Sequence, residues 1–392
     1  MKGSCIFVGI LLSFSILTSF GCHPKMSKQL ADPLVGLTKE QLAQFEQGKV
    51  VFKRVFTPEN GLGPLFNGNA CSECHEDPVA GGVGDEVEVH ATRFVPPNTC
   101  DPLFQEGGPV IQQNATPLLQ AHGIQKEEIP PSATSQARRT TPPVFGFGLI
   151  DAIPDETILA YEDPNDKDGD GISGRANRSI DGRLGRFGRK AAVNSLSDFN
   201  AGAFPQEQGI TTLRLPVEET INGKPVPQGT DPAPDPEISL AEIEQVTNFL
   251  RFLAPPPRKF VKDHREQEQV EQGKKIFGKV RCARCHVPEM RTGPSNIQAL
   301  NKRKVALYSD LLLHDMGPVL ADICLDLATP SEFRTELLMG LRFRKHFLHD
   351  GRAKTIKEAI EQHGGEAKNS RDAYTALSAK DKEALLKFLE TI

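Results

Sequence analysis

The sequence predicts a mainly α, loop-rich fold in which two similar units follow each other along a chain of 392 residues. Apolar residues that recur every three to four positions, as in 240–253, indicate helices. The segments FEQGKVVF (45–52) and VEQGKKIF (270–277) are similar and support two related units. The 34 Gly and 30 Pro residues favour turns, and they account for the expected loops.

Length and charge limit the classes of partner. A chain of this length can hold two or three domains with cores of their own. The formal net charge is −5, so positive and negative side chains nearly balance. Binding to nucleic acid needs clustered positive charge, and we therefore expect no nucleic-acid partner.

The first 22 residues, MKGSCIFVGILLSFSILTSFGC, are typical of an export signal, with a basic start and an apolar run. We predict a signal peptide over 1–21. SFGC resembles a lipobox with serine at the usual leucine position, so we predict lipidation of Cys22 and a tether over 22–37. Plain secretion and an uncleaved anchor are the alternatives. The folded part is predicted to lie in the periplasm or cell envelope, anchored to the membrane by lipid.

The first helix of the folded part is predicted to begin after Thr38, which forms a capping box with Gln41. Its apolar face would contain Leu42, Phe45 and Phe52. This helix leads, through a loop, to the first of two unusual motifs.

Two cysteine pairs are each followed by histidine, in CSECH (71–75) and CARCH (282–286). Zinc sites usually keep their cysteine pairs within a short loop, and a thiol–disulfide centre does not need the histidine. C-x-x-C-H is the attachment motif of c-type haem, with two thioether bonds and the histidine as iron ligand. The residues predicted to bind haem are Cys71, Cys74 and His75 in the first motif and Cys282, Cys285 and His286 in the second, with His75 and His286 on the iron.

These motifs make the prediction more specific. The fold class becomes two cytochrome c-like haem domains in tandem, with a loop and strand insertion between them. The predicted cofactors are two covalently bound haem c groups.

Two features between the motifs are candidate metal ligands. His90 follows His75 by fifteen residues and could be a displaceable iron ligand, or a polar histidine in the strand-like stretch EVEVHATRF. Asp166, Asp168 and Asp170 match the first half of a calcium loop. Asparagine replaces the expected glutamate at the end of that loop, and the alternative is an acidic turn.

A Pro-rich connector, NGKPVPQGTDPAPDPE, separates the two halves. We place the domain boundary near residue 235. An N-terminal haem domain with an acidic-loop insertion would cover 38–235, and a C-terminal cytochrome c-like domain 236–392. Capping boxes or caps at Ser239 and Ser378 predict a helix at each end of the second domain.

Cys100 and Cys324 remain after the motifs have been counted. In an oxidising compartment they could form a disulfide between the two halves. The sequence does not show whether their Cα atoms come within bridging distance.

Five further segments stand in the chain in this order: GLGPLFNGNACSECHEDPVAGG (61–82), TPPVFGFGLIDAIPDETILAYEDPNDKDGDGISGRAN (141–177), GRFGRKA (185–191), YSDLLLHDMGP (308–318) and FLHDGRAKTIKEAIEQHGGEA (347–367). Together they resemble the di-haem oxidoreductase family, which is similar to bacterial di-haem cytochrome c peroxidases.

The resemblance implies an enzyme, an exported di-haem c-type oxidoreductase with peroxidase-like activity. Electrons would enter at the C-terminal haem from a small cytochrome c or copper protein, and the N-terminal haem would reduce hydrogen peroxide. An alternative is a lipid-tethered di-haem electron-transfer protein without a substrate of its own. No residue is assigned as the acid or base of catalysis.

The resemblance also bears on the second iron and on the route between the haems. The matching peroxidase stretch has its axial methionine fourteen residues beyond a histidine, a spacing that here leads from His349 to His363. His314 and Met316 are the other candidates, and His363 could instead cap its helix. Arg189 stands where the family commonly has tryptophan, and the chain has no Trp.

Overall fold

The computed structural model of the protein describes residues 29–179 and 181–392. The predicted signal peptide (1–21) and lipidation site Cys22 lie outside the described residues, as does the first part of the predicted tether (22–28), and these stay predictions. Within the described part of the chain, no helix has the length and apolar character needed to cross a lipid bilayer.

The helices of the described residues lie mainly at the two ends of each half. In chain order they are α1 (Lys39–Phe52), α2 (Cys71–Cys74), α3 (Pro117–Gln120), α4 (Phe147–Asp151), α5 (Asp155–Leu159), α6 (Leu196–Gln208), α7 (Leu240–Phe252), α8 (His264–Lys279), α9 (Ile356–Glu361), α10 (Lys368–Thr375) and α11 (Ala379–Leu389). Short 3₁₀ helices cover Pro58–Asn60, Phe104–Glu106, Cys282–Arg284, Leu341–Phe343 and Gly365–Ala367.

The strands are short, with two exceptions. They are β1 (Leu65–Phe66), β2 (Val87–Val95), β3 (Thr99–Asp101), β4 (Val110–Ile111), β5 (Asn114–Ala115), β6 (Ser135–Thr140), β7 (Thr220–Ile221), β8 (Lys224–Pro225), β9 (Met290–Arg291), β10 (Lys304–Val305), β11 (Leu313–Asp315) and β12 (Glu332–Arg334). β2 pairs antiparallel with β3, β4 and β6, and the remaining strands form two-stranded pairs.

The prediction of a mainly α fold is wrong. Only 31% of the described residues are helical, 15% are in strands, and there are several small sheets. The strand-like stretch around His90 is a full strand, β2, which pairs with β6 from Val87–Thr140 to Thr92–Ser135. Most other strands have two or three residues, and strands this short leave no periodic pattern in the sequence.

Two helix pairs repeat the same packing, which explains the repeated EQGK segment. α1 packs against α7, and α8 packs against α11. A Cβ atom at Gly48 would lie 1.9 Å from the backbone oxygen of Gln245, and one at Gly273 would lie 2.0 Å from that of Ala384. Glycine is therefore required at both crossings, because it lets the helix backbones approach closely.

The predicted domain boundary near residue 235 is crossed by this packing. α7 follows the boundary, yet the ring of Phe249 lies 5.1 Å from that of Phe45 in α1. The same buried core also contains Leu312 from the C-terminal half. The division into 38–235 and 236–392 stays a prediction.

The predicted capping residues mark the starts of three helices. The side chains of Thr38, Ser239 and Ser378 each accept a hydrogen bond from the backbone N–H three residues later, as their sequences predict. Phe45 is buried in the predicted face of α1, but Leu42 is 39% exposed at the margin of that face.

A disulfide joins the two halves. Cys100 in β3 and Cys324 are bonded, with their Cα atoms 5.7 Å apart. This confirms the pairing proposed from the sequence. The four cysteines of the C-x-x-C-H motifs are free thiols.

Candidate haem sites

The first motif is held by a single helical turn. Cys71 and Cys74 are the ends of α2, and His75 follows as its C-terminal cap. The Nδ1 atom of His75 lies 3.3 Å from the carbonyl oxygen of Gly82. Burial lowers the pKa of His75 and raises that of Cys71 to about 11. At neutral pH the site therefore contains thiols and an uncharged imidazole.

The second motif has the same arrangement. Cys282 begins a 3₁₀ turn, and the Nδ1 atom of His286 lies 3.0 Å from the carbonyl oxygen of Tyr308. Burial lowers the pKa of His286 to about 4 and raises that of Cys282 to about 12. A proton held on Nδ1 by a carbonyl leaves the lone pair of Nε2 available to a metal.

An aromatic ring from the preceding helix lies beside each histidine. The ring of Phe52, the last residue of α1, is centred 6.3 Å from that of His75. The ring of Phe277 in α8 is centred 6.5 Å from that of His286. Both phenylalanines end the repeated segment, so the repeat positions one apolar ring at each motif.

The donor set fits c-type haem. Each motif contains two free thiols and one neutral imidazole. The other two described cysteines, in contrast, form a disulfide. The thiols could form thioether bonds to a haem, and the histidine could give one nitrogen ligand to its iron.

A cavity of about 210 Å³ lies at the second motif, and the three predicted haem residues of that motif line it together with Met316 and His363. The Nδ1 atom of His363 lies 2.7 Å from the carbonyl oxygen of Ala359, the same arrangement as in His286. Burial lowers the pKa of His363, so its ring is neutral. Its Nε2 atom can serve as a metal ligand. The assignment of His363 to the iron stays a prediction.

His314 also lines this cavity but is occupied by carboxylates. Its Nε2 atom lies 2.8 Å from Asp310 Oδ2, and its Nδ1 atom lies 2.8 Å from Glu366 Oε2. Although burial opposes it, the charge of Asp310 helps raise the pKa of His314 well above its usual range. A protonated imidazole has no lone pair for iron. Of the alternatives to His363, Met316 is therefore the stronger.

His90 lies on β2, and its Nε2 atom is 2.9 Å from Glu88 Oε2. Ligation of iron through that nitrogen would require the hydrogen bond to break. Its role as a displaceable ligand stays a prediction.

A pair of carboxyl groups near the first motif was missed from the sequence. Glu88 and Glu207 interact electrostatically, and both lie close enough to Cys74 to raise its pKa. Burial and the charge of Glu88 raise the pKa of Glu207 well above its usual range. Burial opposes ionisation of Glu88, but the hydrogen bond from His90 lowers its pKa. Within the pair, Glu207 therefore favours the protonated form and Glu88 the ionised form.

The acidic loop brings its three aspartates together. Ligand oxygens of Asp166, Asp168 and Asp170 all lie within 4.8 Å of one another. Asp170 also forms ion pairs with Arg281 at 2.6 Å and with Arg284 at 3.2 Å. Both arginines belong to the second motif or adjoin it. The loop from the N-terminal half is therefore fastened against the C-terminal haem site.

The site and the sequence define a class of protein. The profile of the family described as "Di-haem oxidoreductase, putative peroxidase" matches residues 132–392, more than half of the chain. The protein therefore belongs to the di-haem oxidoreductases, and haem is its cofactor. The matched region contains CARCH but begins after CSECH.

Three solved structures are similar to this chain at low identity. Hydrazine synthase from Kuenenia stuttgartiensis is 14% identical over 100% of both chains, with a TM-score of 0.40. A MauG-like protein associated with microbial copper homeostasis is 16% identical over 93% of each chain, with a TM-score of 0.39. A variant of the diheme peroxidase BthA from Burkholderia thailandensis is 14% identical, covering 94% of this chain and 92% of its own, with a TM-score of 0.34. None of the curated proteins matches.

Proposed function

We propose that this protein is an exported, lipid-tethered c-type di-haem oxidoreductase that reduces hydrogen peroxide. One observation carries the proposal. Each C-x-x-C-H motif presents free thiols beside a buried neutral histidine whose Nδ1 faces a backbone carbonyl, as haem attachment requires.

The residues at the two motifs suit different roles. When bound, haem supplies an iron that exchanges single electrons and can bind peroxide. His75 at the first motif and His286 at the second would each give a nitrogen ligand to the iron. His363 would give the second haem a further ligand, which suits electron entry there from a small cytochrome c or copper protein. The first motif is the proposed peroxide site.

Proton transfer at the first motif is assigned to the Glu88–Glu207 pair. Splitting of peroxide is aided by a group that takes and returns a proton. Glu207 favours the protonated form and Glu88 the ionised form, so the pair can both give and take a proton. His90 donates to Glu88 and keeps that carboxylate oriented.

We also propose calcium at Asp166, Asp168 and Asp170, since carboxylate oxygens are its preferred ligands. The proximity of their oxygens supports this. Addition of a chelator should then lower the melting temperature. An unchanged melting curve would show that the loop is held by Arg281 and Arg284 alone.

An electron relay without a substrate is the second candidate function. It is favoured by the absence of Trp from the sequence and by Arg189, whose guanidinium is committed to Glu336 at 2.6 Å. The spin state of the haems separates the two functions. A five-coordinate, high-spin haem that reacts with peroxide supports the enzyme. Two six-coordinate haems that are inert to peroxide support the relay.

A further inference from the structure

Three arginines surround a single glutamate in the wall of the cavity at the second motif. Arg189 Nη1 lies 2.6 Å from Glu336 Oε2, and Arg344 Nη2 lies 2.5 Å from Glu336 Oε1. Arg334 Nη2 is 3.4 Å from the same carboxylate. We refer to these four residues as the arginine cluster.

The arginine cluster carries an excess of positive charge that is shielded from water. The side chains of Arg189, Arg334 and Arg344 are 13%, 6% and 8% exposed. Despite burial, the nearby guanidinium groups hold the pKa of Glu336 far below its usual range, so its single negative charge is fully present. Two positive charges remain without a partner, and buried charges are costly unless they are paired.

One donor of the arginine cluster also lacks a hydrogen bond. The Nε atom of Arg344 is buried and has no partner among the described residues. Burial also lowers the pKa of Arg344, because its positive charge is unfavourable away from water. Both the charge and the free donor indicate an anion on the cavity side of this group.

Other cationic side chains of the cavity wall are already matched. Arg281 forms an ion pair with Asp170 at 2.6 Å. Arg371 forms one with Asp372 at 2.8 Å. The unmatched positive charge is therefore local to the arginine cluster and is not a property of the whole cavity.

The opposite balance is found beside the cysteines. His314 lies 3.7 Å from Cys285 Sγ and is held between Asp310 and Glu366, so carboxylates outnumber cations there. An anion entering the cavity is repelled from this region and attracted to the arginine cluster.

We propose that the arginine cluster binds the two propionate carboxylates of the haem attached at CARCH, an inference that rests on the proposed function. Two propionates carry two negative charges and would neutralise the excess. Guanidinium groups match carboxylates with paired, planar hydrogen bonds. On the porphyrin, the propionates lie on a different edge from the vinyl groups that form the thioethers. The residues that bind the propionates should therefore lie apart from the cysteines. Arg189 and Arg344 meet this condition, because they come from segments other than the cysteine motif.

This binding sets the electronic properties of the second haem. Positive charge near the iron stabilises the ferrous form, which carries one positive charge fewer than the ferric form. The arginine cluster thus raises a potential that histidine ligation at His363 would lower. Salt-bridged propionates also stay ionised to lower pH, so the potential should vary little with pH near neutrality.

The test compares Arg344→Gln with Arg342→Gln. Arg342 is a partly buried arginine in the same turn that bonds to the Pro257 carbonyl and does not line the cavity. We expect Arg344→Gln to shift the ferric–ferrous equilibrium of the second haem at least tenfold towards ferric, which is 59 mV for one electron. The potential should also become pH-dependent, and the propionate bending bands in the resonance Raman spectrum should move. Arg342→Gln should change none of these.

Two more variants separate a specific charge effect from a general loss of folding. Arg189→Gln should shift the equilibrium in the same direction as Arg344→Gln, and Glu336→Gln should shift it in the opposite direction. The propionate assignment is overturned if haem is bound at CARCH but the Raman bands and the pH dependence are the same in all variants. Absence of covalent haem from Cys282 and Cys285 would instead overturn the proposed function, and this inference with it.

Discussion

At the scale of single residues, three histidines share one arrangement. His75, His286 and His363 each direct Nδ1 to a backbone carbonyl at 2.7–3.3 Å, and burial lowers the pKa of all three. Such a carbonyl selects the tautomer and orients the ring, so each Nε2 keeps a lone pair that could bind a metal. His314 lacks this arrangement because carboxylates hold both of its nitrogens.

This comparison predicts the effect of changing His363. His363→Ala should convert the second haem from low spin to high spin, because one axial ligand is lost. His363→Met should keep it low-spin and raise its potential, since thioether donates less strongly than imidazole. Optical and electron paramagnetic resonance spectra report both. Met316→Ala is the control, and a change of spin state in that variant alone would transfer the ligand role to Met316.

A second residue-scale prediction concerns Glu127, which is 1% exposed and whose Oε1 atom has no hydrogen-bond partner among the described residues. Burial raises its pKa from 4.5 to about 9. Between these values the folded chain keeps a proton that the unfolded chain has released, so the stability contributed by this group falls as pH rises.

Glu127→Gln removes this dependence and keeps an oxygen for the Gln112 N–H. We expect the variant to gain about 4 kcal/mol relative to the parent protein as the pH rises from 5 to 8, because each pH unit between the two pKa values is worth about 1.4 kcal/mol. Urea unfolding at the two pH values measures the difference. Parallel pH profiles for the two proteins would refute the role of this carboxyl.

At the scale of elements, the repeated segment does two things in each half. Its glycine permits a close helix crossing, and its last phenylalanine lies beside the motif histidine. The helix pair α8–α11 thereby fixes the position of the apolar ring next to His286. Similar sequences in the two halves thus reflect one structural requirement.

The crossing can be tested in α8 with two glycines. At Gly273 a Cβ would clash with the backbone of Ala384, whereas at Gly278 it would meet nothing within 4 Å. Gly273→Ala should destabilise the protein by about 1–3 kcal/mol, as overpacking does. Gly278→Ala should be neutral or slightly stabilising, because alanine favours helix. Thermal unfolding of both variants tests this, and equal melting temperatures would argue against a close crossing.

At the scale of the whole molecule, distant segments build features that the sequence does not display. The motifs and the helix caps were predicted because their residues are three or four positions apart. The Glu88–Glu207 pair and the arginine cluster around Glu336 join residues more than a hundred positions apart. The two-residue strands were missed because a strand of two residues is too short to show a periodic pattern. The Cys100–Cys324 disulfide could be proposed only because few cysteines remained.

Membership of the di-haem oxidoreductases rests on residues 132–392, which contain only the second motif. We propose that the first motif carries a haem as well. Its geometry supports this, because His75 and its thiols reproduce the arrangement at His286.

The most direct test is the mass of the mature protein after acid–acetone treatment, followed by mass spectrometry of its peptides. We expect two haems that resist extraction, one on the peptide with Cys71 and Cys74 and one on the peptide with Cys282 and Cys285. Cys71→Ala and Cys282→Ala should each sharply lower the yield of protein with two haems. A single haem on the second peptide alone, zinc in place of haem, or no covalent haem at all would contradict the account.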